Sequence, residues 1–115
     1  MNALRERHCR RYSKSEAPLT PQAVSARMRE IDPGWQLESE PAAIERTFRF
    51  ADFHRTMAFV NAVAWIAHAE DHHPDMHVGY NRLRIVYRTH SVGGLTDNDF
   101  ICAAKIDALQ PTADQ

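Results

Sequence analysis

The sequence predicts an α+β domain: a four-stranded, mostly antiparallel sheet with helices on one face, in the order αββαββα. Two pairs of short segments have apolar residues at every second position, and each pair is separated by a turn, which is typical of β-hairpins. A long segment with helical periodicity lies between the two pairs, and a shorter helical segment flanks each end. Because a helix joins the two hairpins, all four strands can enter one sheet and leave the helices on one face.

The first helix has a clear beginning and end in the sequence. Thr20 can cap it, and Pro21 suits its first turn because an N-terminal N–H has no partner within the helix. Its apolar residues recur at helical spacing, at Val24, Met28 and Ile31. The Asp-Pro-Gly sequence at 32–34 then ends the helix, since proline cannot continue its hydrogen bonds.

Residues 35–39 and 44–50 are predicted to pair as the first hairpin. In the second segment Ile44, Phe48 and Phe50 alternate with polar residues, so one side of this strand should be buried. Arg46 interrupts that apolar side. We expect its charged end to extend to the edge of the sheet.

The long helix should begin after Asp52, a suitable N-cap, and its apolar residues form two stripes rather than one. The first stripe comprises Phe53, Met57, Val60, Ala64 and Ala67, and the second comprises Phe59, Val63 and Ile66. Two stripes indicate burial on two sides. Either the sheet and another helix cover them, or the second stripe contributes to a subunit interface.

Pro74 ends the long helix, and two further strands follow. Met76, Val78 and Tyr80 alternate in the first, and Leu83, Ile85 and Tyr87 face one way in the second. A loop with Gly93 and Gly94 leads to Thr96 and Asp99, which can begin a final helix as a capping box.

Composition limits the functions that this chain can have. Its 43% hydrophobic and 25% charged residues are typical of one globular domain, and a net charge of −1 gives no strong field for nucleic acid. No apolar run approaches the ~20 residues that span a bilayer. Cys9 and Cys102 are far apart in the sequence, so we expect no disulfide framework and a reducing, cytoplasmic location.

Residues 1–16 are rich in arginine and lysine. We expect a disordered basic arm, or a start codon assigned too early, with an organellar presequence or an anion-binding arm as alternatives. The folded domain should then occupy residues 17–112.

Three histidines beside turns are the candidate catalytic residues. His72 and His73 lie at the exit of the long helix, and His90 follows after the second hairpin. Histidine exchanges a proton near neutral pH, and a hairpin that begins and ends at one sheet edge would bring the three together. A zinc site using His68 and His72 at i, i+4 is an alternative, although the chain lacks the His-Glu-x-x-His pattern. No serine or cysteine has a nucleophile motif.

From Leu19 to Leu109 the sequence resembles the pterin-4a-carbinolamine dehydratases. The similarity rests on a set of short motifs in a fixed order: Pro33-Gly34-Trp35, Phe48-x-Phe50-x-Asp52-Phe53, Asp71-His72-His73-Pro74-Asp75, Tyr80-Asn81, Thr89-His90, Gly93-Gly94-Leu95-Thr96 and Asp99. Each motif is weak alone, and their order and spacing make the set specific.

The resemblance implies an enzyme that removes water from a 4a-hydroxytetrahydropterin without a metal or organic cofactor. It implies that His72, His73 and His90 are catalytic, with His73 as the base at N5. The same residues would line the substrate pocket together with Asp71, Arg88, Thr89 and Ser91. It further implies a homodimer or homotetramer.

One departure from the family pattern bears on the site. Where members usually carry a glutamate four residues before the His-His pair, this chain has His68; we expect its absence either to weaken activity or to move its task to Glu70 or Asp71. Some relatives serve instead as dimerisation or assembly cofactors, which is the alternative function.

Overall fold

Residues 3–109 are described in a computed structural model, and within them the elements follow the predicted order αββαββα. The elements are α1 (Pro21–Met28), β1 (Gln36–Ser39), β2 (Ala42–Arg49), α2 (Phe53–Glu70), β3 (Asp75–Val78), β4 (Arg82–Tyr87) and α3 (Asp97–Leu109). Short 3-10 turns occupy Leu4–Glu6 and His90–Val92. In this part of the chain no helix combines the length and the apolar character needed to cross a membrane. The expected domain end at residue 112 lies outside the described residues.

The described strands form one antiparallel sheet in the order β1-β2-β4-β3. In the central pair, Phe48 lies opposite Leu83 and Ile44 lies opposite Tyr87. These residues and Ile85 form the buried face, on which the helices pack. The prediction of a four-stranded α+β domain with helices on one face is therefore confirmed.

The predicted helix starts are present as hydrogen bonds. The Thr20 hydroxyl accepts the N–H of Ala23 at 3.2 Å, and the Asp52 carboxylate accepts the N–H of Arg55 at 2.8 Å. At the start of α3 the Thr96 N–H donates to the carboxylate of Asp99 at 3.0 Å. Each contact pairs a backbone donor that the helix itself cannot satisfy.

Arg46 does not extend to the sheet edge, so that expectation was wrong. Its side chain is 11% exposed, and its guanidinium lies 4.4 Å from the ring centroid of Phe48. Its Nη1 is 2.7 Å from the carboxylate of Asp107 on α3, which also accepts the indole N–H of Trp35 at 2.7 Å. An acidic partner on the helix makes a basic residue tolerable on the buried face of the sheet.

The core of the chain itself covers much of the second α2 stripe. Val63 is fully buried within this chain, and Phe59 and Ile66 pack against the core. The exposed apolar side chains lie elsewhere: Trp65 is 68% exposed, and Phe53 stacks on the exposed Tyr80. Burial within the chain therefore covers Val63 fully and Phe59 and Ile66 in part.

The N-terminal residues differ from the expectation of a disordered arm, because the first half of residues 3–16 packs against α3. Leu4 is 4% exposed and belongs to the core. The Lys105 ammonium donates to the carbonyl of Arg5 at 2.8 Å, and Arg7 pairs with Asp97 at 3.2 Å. The buried residues of α3 lie on several sides of the helix. The N-terminal arm covers a side of α3 that the sheet does not cover.

We expect Val63→Asp to prevent folding, whereas Trp65→Asp should leave the monomer fold intact. An aspartate at the fully buried position 63 would place an unpaired charge in the core, which costs several kcal/mol, whereas position 65 faces solvent. Circular dichroism during urea unfolding measures both variants. A Val63→Asp protein as stable as the parent would contradict this packing.

Candidate active site

A cavity of about 500 Å³ lies where α2 and β4 end. It is lined by all seven residues singled out from the sequence: Asp71, His72, His73, Arg88, Thr89, His90 and Ser91. The two turns therefore meet across one cleft, as expected for strands that begin and end at one sheet edge. The chemical roles of these residues remain a prediction.

The end of α2 turns the chain toward the cavity. Asp71 has φ 53° and ψ 43°, a left-handed conformation that aspartate tolerates better than most residues. Its N–H lies 3.3 Å from the carbonyl of His68, and the N–H of His72 donates to the carbonyl of Ala67 at 3.1 Å. These bonds reverse the chain and satisfy the last carbonyls of the helix. As a result His72 folds back toward α3.

His72 is held on three sides. Its Nε2 lies 2.7 Å from Oδ1 of Asp99, and its ring stacks on Tyr87 with centroids 5.2 Å apart. The Tyr87 hydroxyl also donates to the carbonyl of His72 at 3.1 Å. With its side chain only 11% exposed, His72 has one fixed orientation.

Asp99 is the buried centre of this arrangement and has no exposed surface. Its Oδ2 accepts the hydroxyl of Thr89 at 2.9 Å and the N–H of Thr96 at 3.0 Å. The two threonine hydroxyls lie 2.8 Å apart. The sequence identified Asp99 as a capping residue and as part of the family motifs, with no role in the site. Its contact with His72 required the fold, because 27 residues separate the two.

The environment of His72 favours its protonated form. Burial alone would lower the pKa of the imidazole, but the hydrogen bond and negative charge of Asp99 outweigh it and raise the pKa above its ordinary value. An imidazole that holds a proton near neutral pH is suited to donating that proton to a leaving group.

His73 and His90 are the more accessible histidines of the cavity, and both are exposed. His90 opens the 3-10 turn that ends at Gly93, whose φ of 68° favours glycine. The N–H of Thr89 donates to the carbonyl of Gly94 at 2.8 Å and closes this loop. Two exposed imidazoles thus face the cavity from different turns.

Arg88 lines the cavity and also carries a buried donor without a partner. Its Nε is buried and has no hydrogen-bond partner among the described residues, while its Nη1 is 3.8 Å from the carboxylate of Asp75. An unpaired buried donor costs roughly 1–3 kcal/mol.

The N-terminal strap, residues 7–12, forms a cavity wall that the sequence did not reveal. Cys9, Arg10 and residues 11–12 line the cavity together with Glu70 and Asn98. The Cys9 N–H donates to Glu70 at 2.7 Å, and the amide of Asn98 makes two bonds with the backbone of Arg10, at 2.6 and 3.0 Å. The apolar Leu4 and Cys9 were the only sequence signal that the basic arm packs.

Glu70 therefore binds the strap, and the carboxylate that orients His72 comes from Asp99 on α3. Burial alone would raise the pKa of Glu70, but the Cys9 N–H and neighbouring His8 outweigh it and lower that pKa. These contacts therefore do not support the hypothesis that Glu70 or Asp71 performs the task of the glutamate that family members usually have at the position of His68.

The zinc alternative does not match the geometry. His68 is exposed beside Trp65, with ring centroids 5.6 Å apart, and does not line the cavity. His72 directs its Nε2 to Asp99 instead. Within residues 3–109, no group of three or more His, Cys, Asp or Glu residues is arranged to hold a metal ion.

The His72–Asp99 pair predicts a specific pH dependence of stability. Because folding raises the pKa of His72, the pair stabilises the fold fully below about pH 6.5, and this contribution is lost as the pH rises through the folded-state pKa. The difference in unfolding free energy between the parent and Asp99→Asn should therefore be larger at about pH 5.5 than at about pH 8.5.

Urea unfolding at both pH values measures this difference, and His77→Ala is the control because His77 is exposed away from the cavity. If the difference in unfolding free energy between the parent and Asp99→Asn does not change with pH, or grows at high pH, the His72–Asp99 pairing is contradicted.

Comparison with known proteins identifies the family. Residues 17–109 match the family model of the Pterin 4 alpha carbinolamine dehydratases. Two relatives carry the name "Putative pterin-4-alpha-carbinolamine dehydratase". The Nitrosomonas eutropha protein is 50% identical over 106 residues, covering 92% of each chain. The Xanthomonas campestris pv. campestris protein is 53% identical, covering 92% of this chain and 89% of its own.

Two solved structures have a similar fold. A transcriptional coactivator/pterin dehydratase from Brucella melitensis has a TM-score of 0.75 at 36% identity, covering 80% of this chain and 97% of its own. A pterin dehydratase-like protein identified as a RuBisCO assembly factor in the α-carboxysome has a TM-score of 0.60 at 22% identity, covering 69% and 92%, which shows the fold alone. From the family match and these identities, the chain belongs to the pterin-4a-carbinolamine dehydratase family.

Proposed function

We propose that the protein removes water from 4a-hydroxytetrahydropterin and releases the quinonoid dihydropterin, as a step in tetrahydropterin recycling. The observation that carries this proposal is the convergence of His72, His73 and His90 on one cavity in a chain of this family. The volume of about 500 Å³ lies within the range of small-molecule sites, roughly 300–1,000 Å³.

Dehydration requires two proton movements. The 4a-hydroxyl must gain a proton to leave as water, and the proton on N5 must be removed so that N5 and C4a can form a double bond. A positioned acid or base contributes about 10²–10⁴-fold to such a step. Three imidazoles around one substrate can supply both movements, and the proposed reaction uses no metal and no organic cofactor.

We assign the acid at the hydroxyl to His72 and His90 and the base at N5 to His73. The raised pKa of His72 supports its role as an acid, because it increases the fraction of the imidazole that keeps its proton near neutral pH. His73 is exposed at the same turn, where its imidazole is accessible to substrate. His90 approaches from the opposite turn.

The polar ring of a pterin would be bound by the remaining lining residues. The guanidinium of Arg88 offers donors for a ring oxygen or nitrogen, and Asp71 and Ser91 offer acceptors and a hydroxyl. The Thr89 hydroxyl already donates to Asp99. We therefore propose that the Thr89 hydroxyl helps to position His72 through Asp99, and that other atoms of Thr89 contact the substrate.

The direct test of the function is dehydration of chemically prepared 4a-hydroxytetrahydropterin, followed by ultraviolet absorbance. We expect the parent to accelerate the reaction over buffer, His73→Ala to lose at least about tenfold, and His72→Ala and His90→Ala to lose less. His68→Ala and His77→Ala should retain the parent rate, because neither residue lines the cavity.

Two results would count against the proposal. A parent rate no faster than buffer would refute the enzyme. Full activity of His73→Ala would refute its assignment as the base.

The alternative function is a non-catalytic dimerisation or assembly cofactor, since one structural neighbour is a RuBisCO assembly factor and the other is a transcriptional coactivator/pterin dehydratase. The exposed indole of Trp65, 68% accessible on α2, favours a contact with another chain. We propose that the protein is a homodimer or homotetramer in the cytoplasm and that such contacts accompany catalysis. The proposal includes no nucleic-acid or membrane partner.

Analytical ultracentrifugation tests this assembly. The parent should sediment as two or four copies, and Trp65→Asp should shift it toward the ~13 kDa monomer, since a buried carboxylate opposes association. Gln22→Asp places the same charge at an exposed position on α1 and should change nothing. A parent that sediments only as a monomer would exclude the assembly.

A further inference from the structure

Two cysteines far apart in the sequence lie side by side in the fold. The Sγ atoms of Cys9 and Cys102 are 3.6 Å apart, although 93 residues separate them, and both thiols are free. Cys9 belongs to the N-terminal strap, and Cys102 lies on α3 one helical turn beyond Asp99. Their distance along the sequence did not indicate that the two thiols meet.

We propose that Cys9 and Cys102 form a reversible dithiol–disulfide site that reacts with a low-molecular-weight disulfide and, when oxidised, fixes the strap to α3. A disulfide has an S–S distance of about 2.0 Å, so the sulfurs must approach by roughly 1.6 Å. Rotation of the two side chains and a small shift of the strap can supply this movement.

The strap is positioned for this reaction by contacts that leave its sulfur accessible. The Cys9 N–H donates to Glu70, and the backbone of Arg10 is paired with the Asn98 amide. Cys9 itself is half-buried and lines the cavity, whereas Cys102 is fully buried. A reagent that enters the cavity therefore reaches Cys9 first.

The exchange occurs in two steps. Deprotonated Cys9 attacks one sulfur of the reagent, which forms a mixed disulfide and releases one thiolate. Deprotonated Cys102 then attacks the sulfur of Cys9 and releases the second. The two cysteines lose two electrons and two protons, and the reagent RSSR gains them and becomes two RSH molecules.

Cys102 is suited to the second step by neighbours that remain after Cys9 has reacted. In the reduced pair the Cys9 thiol lowers the pKa of Cys102 despite burial, and Tyr87 and His72 lower it further; Tyr87 and His72 still act once the sulfur of Cys9 is part of the mixed disulfide. The hydrogen bond between the two thiols, together with burial, raises the pKa of Cys9, which makes the first step slow. A reducing compartment would keep the pair as thiols, so the disulfide would report oxidising conditions.

Oxidation should change the strap and the stability of the whole chain. A link across 93 residues restricts the unfolded chain, so we expect the melting temperature to rise by about 5 °C or more. The amides of Cys9 and Arg10 should exchange their hydrogens more slowly, because both are bonded only while the strap is docked.

The experiment equilibrates the full chain with oxidised and reduced glutathione at several ratios. Intact mass spectrometry under denaturing conditions should show a loss of about 2 Da, the two hydrogens of the thiols. The higher melting temperature and slower exchange should accompany that loss and reverse with dithiothreitol. Cys9→Ser and Cys102→Ala should show neither effect in the same glutathione buffers.

Three results would overturn the proposal: two thiols that remain open to alkylation after equilibration in excess oxidised glutathione, glutathione adducts without an internal disulfide, or an internal disulfide that changes neither melting temperature nor exchange. All of these measurements are independent of pterin dehydration, so they separate this site from the proposed function.

Discussion

The rest of the site depends on the hydrogen bonds of the buried Asp99 carboxylate. It joins three parts of the chain: the exit of α2 through His72, the end of β4 through Thr89, and the start of α3 through the N–H of Thr96. A carboxylate with no exposed surface is stable only when hydrogen bonds replace its lost hydration. One residue therefore both begins a helix and orients a candidate catalytic imidazole.

Around that contact, the fold divides the cavity into a rigid and a more exposed part. His72 is fixed by Asp99 and by the ring of Tyr87, whereas His73 and His90 lie exposed on turns. A fixed, protonated acid beside accessible imidazoles suits a reaction that must deliver one proton and remove another. The remaining wall comes from the N-terminal strap, which lies before the residues matched by the family model.

Local signals were sufficient to predict the fold. The caps at Thr20 and Asp52 and the alternation in β4 depend on neighbouring residues, and all are present in the structure. Contacts between distant residues were not predictable in this way. Arg46 acquires an acidic partner 61 residues away, and Val63 faces the core of its own chain rather than a partner.

The same limit applies to the site. His72, His73 and His90 could be proposed because they are histidines beside turns, and the other four lining residues were implied by the family resemblance. The N-terminal strap could not be predicted, because a basic, polar sequence resembles a disordered arm until α3 provides Asp97 and Asn98 as partners.

The central claim is that Asp99 acts on the reaction through His72. A double-mutant cycle on the dehydration rate with His72→Ala and Asp99→Asn tests this claim most directly. If Asp99 acts through His72, each change should lower the rate severalfold, less than His73→Ala does, and the double variant should be no slower than His72→Ala. Losses that multiply in the double variant would contradict it.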